Sequence, residues 1–193
     1  MNGLRCGAMR IIDAKVPRSF APDSGVFFRM PFAGLPVRPT GTSNSQHEAE
    51  FQWMASELLA AALRLGCTMS ITSVTLSEYL QGLQARFTPQ EISDLVDQFP
   101  LFVLPHDAQA AKHAAFLPSS GMTATPACGA TNCTGPTRTQ VKHDSLILCS
   151  AARCGHIITH DVSKPSSMLA VGNILHSRQV PIVVTPLRSL FTP

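Results

Sequence analysis

The sequence predicts an α/β protein, a three-layer α/β/α domain with a mainly parallel central sheet. Three observations lead there. Through the last third of the chain, helical periodicity alternates with short Val- and Ile-rich strands, as it does when crossover helices cover both faces of a parallel sheet. Hydrophobic residues make up 45% of the chain and charged residues only 14%, too apolar for disorder and enough for a sizeable core. The 193 residues are one domain's worth, read as 1–193, with 1–8 as an extension and 118–140 as a long loop.

Met9–Ile12 and Val26–Met30 are the apolar stretches at which a first strand is expected, with Pro17, Pro22 and Gly25 between them. Pro31–Ser45, rich in Pro, Gly, Ser and Thr, reads as a surface loop. Ser45 and Glu48 have capping-box spacing, and Ala49, Phe51, Met54, Leu58, Ala61, Ala62 and Leu65 recur at helical intervals until Gly66. Thr68–Thr72 is a β-branched strand leading into a helix from Val74 towards Arg86. Thr88, Pro89 and Glu91 supply the N-cap, first-turn proline and capping-box acid of a helix ending near Gln98. Phe99–Leu104 is apolar up to Pro105, and Asp107 caps a helix over Ala108–Leu117. Pro118–Gln140 is a long segment rich in Gly, Pro, Thr and Ser, of the kind that carries function. A helix over Val141–Arg153, a strand His156–Thr159, a helix Met168–Ser177 and a strand Val180–Val184 complete the pattern. In such sheets ligands bind beyond the carboxyl ends of the strands.

No apolar run approaches the roughly 20 residues of a membrane span. Met1–Arg10 lacks the apolar stretch of a secretory signal, so a cytoplasmic location is expected, with Cys6, Cys67, Cys128, Cys133, Cys149 and Cys154 as thiols. The last four make two C-x4-C pairs, looser than the usual zinc spacing, and Cys149 falls in an apolar helical stretch where a buried thiol is ordinary. A net charge of +3 permits contact with nucleic acid without requiring it. Neither a P-loop nor a G-x-S-x-G elbow is present, which leaves P-loop nucleotide hydrolysis and serine hydrolase chemistry without support.

Three acids fall where the sheet would bring them together: Glu78 in the helix after the Thr68–Thr72 strand, Asp144 at the start of a helix, and Asp161 just past His156–Thr159. Carboxylates gathered at one edge repel, and a hard divalent cation, Mg2+ or Mn2+, relieves the repulsion and readies water for attack on a phosphodiester. Each acid also has a plainer role to weigh. Glu78 has capping-box spacing from Thr75, Asp144 answers a helix dipole, and Asp161 caps the following turn.

The strings Ile71-Thr-Ser-Val-Thr-Leu-Ser-Glu78-Tyr-Leu, Lys142-His-Asp144-Ser-Leu-Ile-Leu and Gly155-His-Ile-Ile-Thr159-His-Asp161 resemble, in this order, the second, third and fourth acidic motifs of PIN-domain ribonucleases. Val180-Pro-Ile-Val-Val-Thr-Pro-Leu-Arg-Ser-Leu is similar to the closing strand and turn of several such proteins. The resemblance runs from about Glu48 to Leu190. It implies an α/β/α domain that holds Mg2+ or Mn2+ through Glu78, Asp144 and Asp161, with the Thr159 hydroxyl bonding within the site. The implied activity is hydrolysis of RNA, often as the toxin of a toxin–antitoxin pair. An antitoxin protein and a homodimer are the further partners it implies.

The family's first motif, an aspartate ending strand one, has three candidate registers. Asp13 follows Met9–Ile12, and Asp23 opens Asp-Ser-Gly-Val-Phe-Phe behind Pro22. If Val26–Phe28 is the strand, Arg29 stands where the acid belongs, at the best spacing to Glu78. A guanidinium there would take the cation's place, leaving a degenerate domain that binds RNA or a protein without cleaving. His143 and His160 neighbour the acids, and Arg86, Arg138, Lys142 and Lys164 are candidate phosphate contacts. Trp53 and Met54 are expected on the buried face of their helix.

Overall fold

The structure is a computed structural model describing residues 9–36, 46–117, 138–162 and 167–192, the side chains of 138–142 excepted. Strands β1 (Ser19–Pro22), β2 (Thr68–Thr72), β3 (Phe102–Leu104), β4 (His156–Thr159) and β5 (Val183–Pro186) form one all-parallel sheet in the order β3-β2-β1-β4-β5. Helices α1 (Ser24–Phe27), α2 (Gln46–Arg64), α3 (Ser73–Leu83), α4 (Pro89–Asp97), α5 (Ala108–Ala114), α6 (Arg138–Ala151) and α7 (Met168–Ser177) flank it in a three-layer α/β/α arrangement. The chain builds outward from β1 through β2 to β3, then crosses back past β1 to β4 and β5. The strand order therefore reverses between β1 and β4, which opens a crevice beyond their carboxyl ends.

The period-2 alternation of the central strands divides the core. Phe20 and Ile158 point into the cluster built on α2, whereas Ala21 and Ile157 point into the cluster built on α6 and α7. Helix α2 buries the residues its periodicity marks, Phe51, Met54, Leu58, Ala61 and Ala62 among them, and Gly66 at φ +64° ends it. Trp53 is half-buried on the same element, its ring 5.3 Å from that of Phe191. On the far side, α7 lies so close on β5 that a Cβ on Gly172 would meet Val184 Cγ2 at 2.0 Å.

The opening of the chain departs from expectation. Met9–Ile12 is not a strand of the sheet, and Ile11 makes a single antiparallel bridge to Phe191. Val26–Met30 is not a strand either: Asp23 accepts the Val26 N–H at 2.7 Å and caps the one-turn helix α1, burying Val26 and Phe27. The first strand is Ser19–Pro22, where only Phe20 and Ala21 supply apolar side chains. Pro22 is tolerated as its last residue, because the next rung comes from Asp23 N–H to Ile158 O at 2.9 Å. Arg29 consequently follows α1 and ends no strand.

Smaller shifts occur later. Helix α3 stops at Leu83, before Arg86. Helix α6 begins at Arg138 rather than Val141, so Asp144 lies in its second turn and not at its start. Strand β5 begins three residues after Val180, with Val180 and Ile182 packed into the core ahead of it. The Thr88–Glu91 capping box, the Asp107 cap, β4 and α7 form as expected. Ser45, residues 1–8 and residues 118–137 of the long segment lie outside the described residues. No helix among the described residues is long and apolar enough to cross a membrane.

Candidate acidic active site

Asp23, Glu78, Asp144 and Asp161 line one open cleft of about 780 Å³. Asp23 follows the last residue of β1, Asp161 lies two residues past β4, and Glu78 and Asp144 project from the second turns of α3 and α6. These are the positions a switch point gathers. Of the three first-motif registers, the structure brings only Asp23 to the cleft. Asp13 sits on a short 3-10 turn and pairs with Arg64. Arg29 binds both oxygens of Glu48, at 2.7 and 2.9 Å.

Asp23 is 5% exposed, and burial pushes its carboxyl up to about 6. The rise is restrained by three donors, the Thr159 hydroxyl and the backbone N–H groups of Val26 and His160. Thr159 joins the two strand ends, since its Oγ1 donates to Asp23 Oδ2 and accepts the Asp161 N–H at 2.9 Å. Asp161 Oδ2 also accepts the N–H of Met168, the first residue of α7, at 3.0 Å, so the plain capping role is realised in part.

Glu78 is no capping-box acid, for Thr72 caps α3 by accepting the Thr75 N–H at 3.1 Å. Its carboxylate instead accepts the Ser24 hydroxyl and lies 3.0 Å from His143 Nδ1. Asp144 is the most perturbed acid of the cleft. Burial and then the charges of Asp161, Asp23 and Glu78 push it up to about 7, with His143 pulling slightly the other way.

Beside the acids the lining is aromatic. The His160 ring stacks on Phe51 with centroids 3.8 Å apart and 18° between planes, and His47 meets His160 edge-on at 5.3 Å. The Arg29 guanidinium carbon lies 4.2 Å from the Phe51 centroid. Burial, with His47 and Arg29 nearby, holds His160 below its ordinary value. Arg188, just past β5, completes the lining and donates to Glu50 at 2.9 Å.

Ser24, His47, Phe51 and Arg188 were not singled out by sequence reasoning. Arg188 was signalled by standing shortly after the expected strand Val180–Val184, whereas Ser24 follows β1, a strand the sequence did not mark. Arg86 has its guanidinium carbon 5.8 Å from the Phe87 centroid and does not line the cleft. The side chains of Arg138 and Lys142 and all of Lys164, Cys128 and Cys133 lie outside the described residues. Cys149 is buried in the α6–α7 core, which pushes its thiol up to about 11, and Cys154 donates to the carbonyls of Ala151 and His156.

Among the described residues, no three His, Cys, Asp or Glu side chains are gathered into a ready-made metal set. The cleft acids are turned to separate partners instead: Asp23 to Thr159, Glu78 to Ser24 and His143, Asp161 to Met168. Their donor chemistry is nevertheless all oxygen, and burial followed by the charges of Asp161, Asp23 and Glu78 raises Asp144. That combination fits a hard divalent cation keeping part of its water shell, not a closed protein cage. Compared with known proteins, the chain matches no family model, no curated protein and no solved structure.

Proposed function

We propose that this protein is a metal-dependent endoribonuclease of the PIN type, hydrolysing RNA phosphodiester bonds at the acidic cleft. The observation that carries the reading is the convergence of Asp23, Glu78, Asp144 and Asp161 on one cleft at the β1–β4 switch point, with Asp144 raised by burial and then by the charges of the other three. Acids so arranged serve a cation or a proton, and the chain order of the motifs favours the cation.

In this reading the four acids hold Mg2+ or Mn2+, which when bound supplies Lewis acidity towards water and offsets phosphate charge. The chain's own residues do the positioning. Thr159 ties Asp23 to the backbone of Asp161, so the two strand-end acids move as one. Ser24 and His143 fix the rotamer of Glu78 from either side. Arg188, which lines the cleft and donates to Glu50, is a cation among the described residues that could meet a neighbouring phosphate.

The non-cleaving alternative drew on Arg29 at the first-acid position. With Asp23 at the end of β1 and Arg29 paired to Glu48, that support is gone.

The test is a calorimetric Mn2+ titration of the protein and of Asp144→Asn, with RNA cleavage measured on the same samples. The protein is expected to bind Mn2+ and cut RNA, and Mn2+ at a hundred times its Kd should add about 2.7 kcal/mol to stability. Asp144→Asn is expected to remain folded while losing both properties. Cleavage by Asp144→Asn at the parent rate, or cleavage by the parent that persists in excess chelator, sinks the assignment.

A further inference from the structure

The aromatic wall of the cleft is built more firmly than a surface patch requires. Two groups centred about 4 Å from one ring cannot share a face, so Arg29 and His160 must cover opposite faces of Phe51. Phe51 is accordingly 4% exposed and offers no surface of its own to a ligand. The far end of the stack is anchored by the two-oxygen grip of Arg29 on Glu48, and the near end by the His160 N–H on Asp23. What the column presents to the cleft is the remaining surface of His160 and the exposed ring of His47, set beside Asp161.

We infer that His47 and His160 form a nucleobase-contacting wall, on which one unpaired base of the RNA stacks while its phosphate lies at the acids. The inference rests on the nuclease reading and adds to it the face that holds the base. Planar rings stack on any base with little sequence preference, and a ring immobilised by Phe51 and Arg29 does so with less ordering cost. A base paired in a duplex has its faces covered by its neighbours, so the wall admits a strand whose bases are free. His47 and His160 are positioning residues on this view, and the acids do the chemistry.

The experiment follows binding and cleavage separately. A single-stranded oligoribonucleotide carrying one 2-aminopurine is titrated with the metal-free protein, with His47→Ala and with Asp144→Asn, and fluorescence quenching reports stacking. Quenching is expected with the parent and with Asp144→Asn, and His47→Ala should weaken binding about tenfold. In the Mn2+-dependent assay, His47→Ala should raise KM by a similar factor at nearly unchanged kcat and Mn2+ affinity. Replacing the base by an abasic residue next to the cut should hurt the parent and add little in His47→Ala. Quenching lost in His47→Ala while no variant cleaves would sink the nuclease reading and leave the base wall standing. Equal quenching by parent and His47→Ala, or abasic and His47→Ala effects that simply add, overturns the wall and leaves the nuclease reading untouched.

Discussion

The strand ends and helix α6 each deliver an aspartate to the same cleft, and the two are perturbed for different reasons. Asp23 is the more deeply buried, yet it rises only to about 6, because Thr159 and the N–H groups of Val26 and His160 bond its charged form. Asp144 stands in the second turn of a helix, its own backbone donors spent inside that helix, and the charges of Asp161, Asp23 and Glu78 add to burial to take it to about 7. The strand-end acid is therefore woven into the fold, whereas the helix acid is held against repulsion. One is an anchor, and the other is where a cation or a proton gains most.

The largest effect should come from removing the anchor. Asp23→Ala leaves three donors facing a buried space without an acceptor, and a loss of about 3 kcal/mol in urea unfolding is expected. Asp144→Ala, by contrast, removes no hydrogen bond made among the described residues and relieves repulsion, so it should cost the metal-free protein little or nothing. Equal losses in the two variants would erase the distinction between them.

Next in size is the pH dependence. Both acids have folded values above their unfolded ones, so the folded state binds more protons across that interval, and the stability these two acids contribute is greatest below about pH 4 and is lost as pH rises. The share from Asp23 is lost between about 4 and 6, and that from Asp144 continues to about 7. Their joint contribution should disappear over this window in the metal-free protein. Asp144→Asn should remove the later part of the fall, seen as a flatter thermal midpoint between pH 6 and 7. Parent and Asp144→Asn midpoints that change identically between pH 6 and 7 would contradict the raised value of Asp144.

How much of this was legible in the sequence depends on how loudly each element is written. Strand β4 and helix α7 are unbroken apolar or periodic runs with clear stops, and both form where their residues predict. Asp161 could be placed just past a strand end for that reason. Strand β1 carries only Phe20 and Ala21 between Arg18 and Pro22, while the more apolar Val26–Met30 beside it looks like the better strand. Burial at the centre of a five-stranded sheet outweighs that weak local signal, and the cap from Asp23 to Val26 N–H commits the apolar run to a turn of helix. The Asp-x-x pattern of that cap was in the sequence, and it argues against the Arg29 register. The pairing of Ser24 with Glu78 and the Arg29–Phe51–His160 column cross 54 and more than 100 residues of chain respectively, distances over which periodicity says nothing.

The smallest effect offers the sharpest comparison, because it makes the anchor behave like the helix acid. Thr159→Val keeps the shape of the buried side chain but removes the hydroxyl that donates to Asp23 and accepts the Asp161 N–H. A loss of about 1 kcal/mol is expected, since the strand and two of the three donors to Asp23 remain. The informative change lies in the titration. With its strongest lowering partner gone, Asp23 should protonate at higher pH than in the parent, moving towards Asp144, and the fall in stability with pH should extend upward accordingly. A carboxyl titration followed by NMR on the parent and Thr159→Val, each also in the Asp144→Asn background, separates the two acids. If Asp23 does not move when the hydroxyl is removed, burial alone sets its value, and the contrast between an anchored and a repelled acid reduces to one of depth.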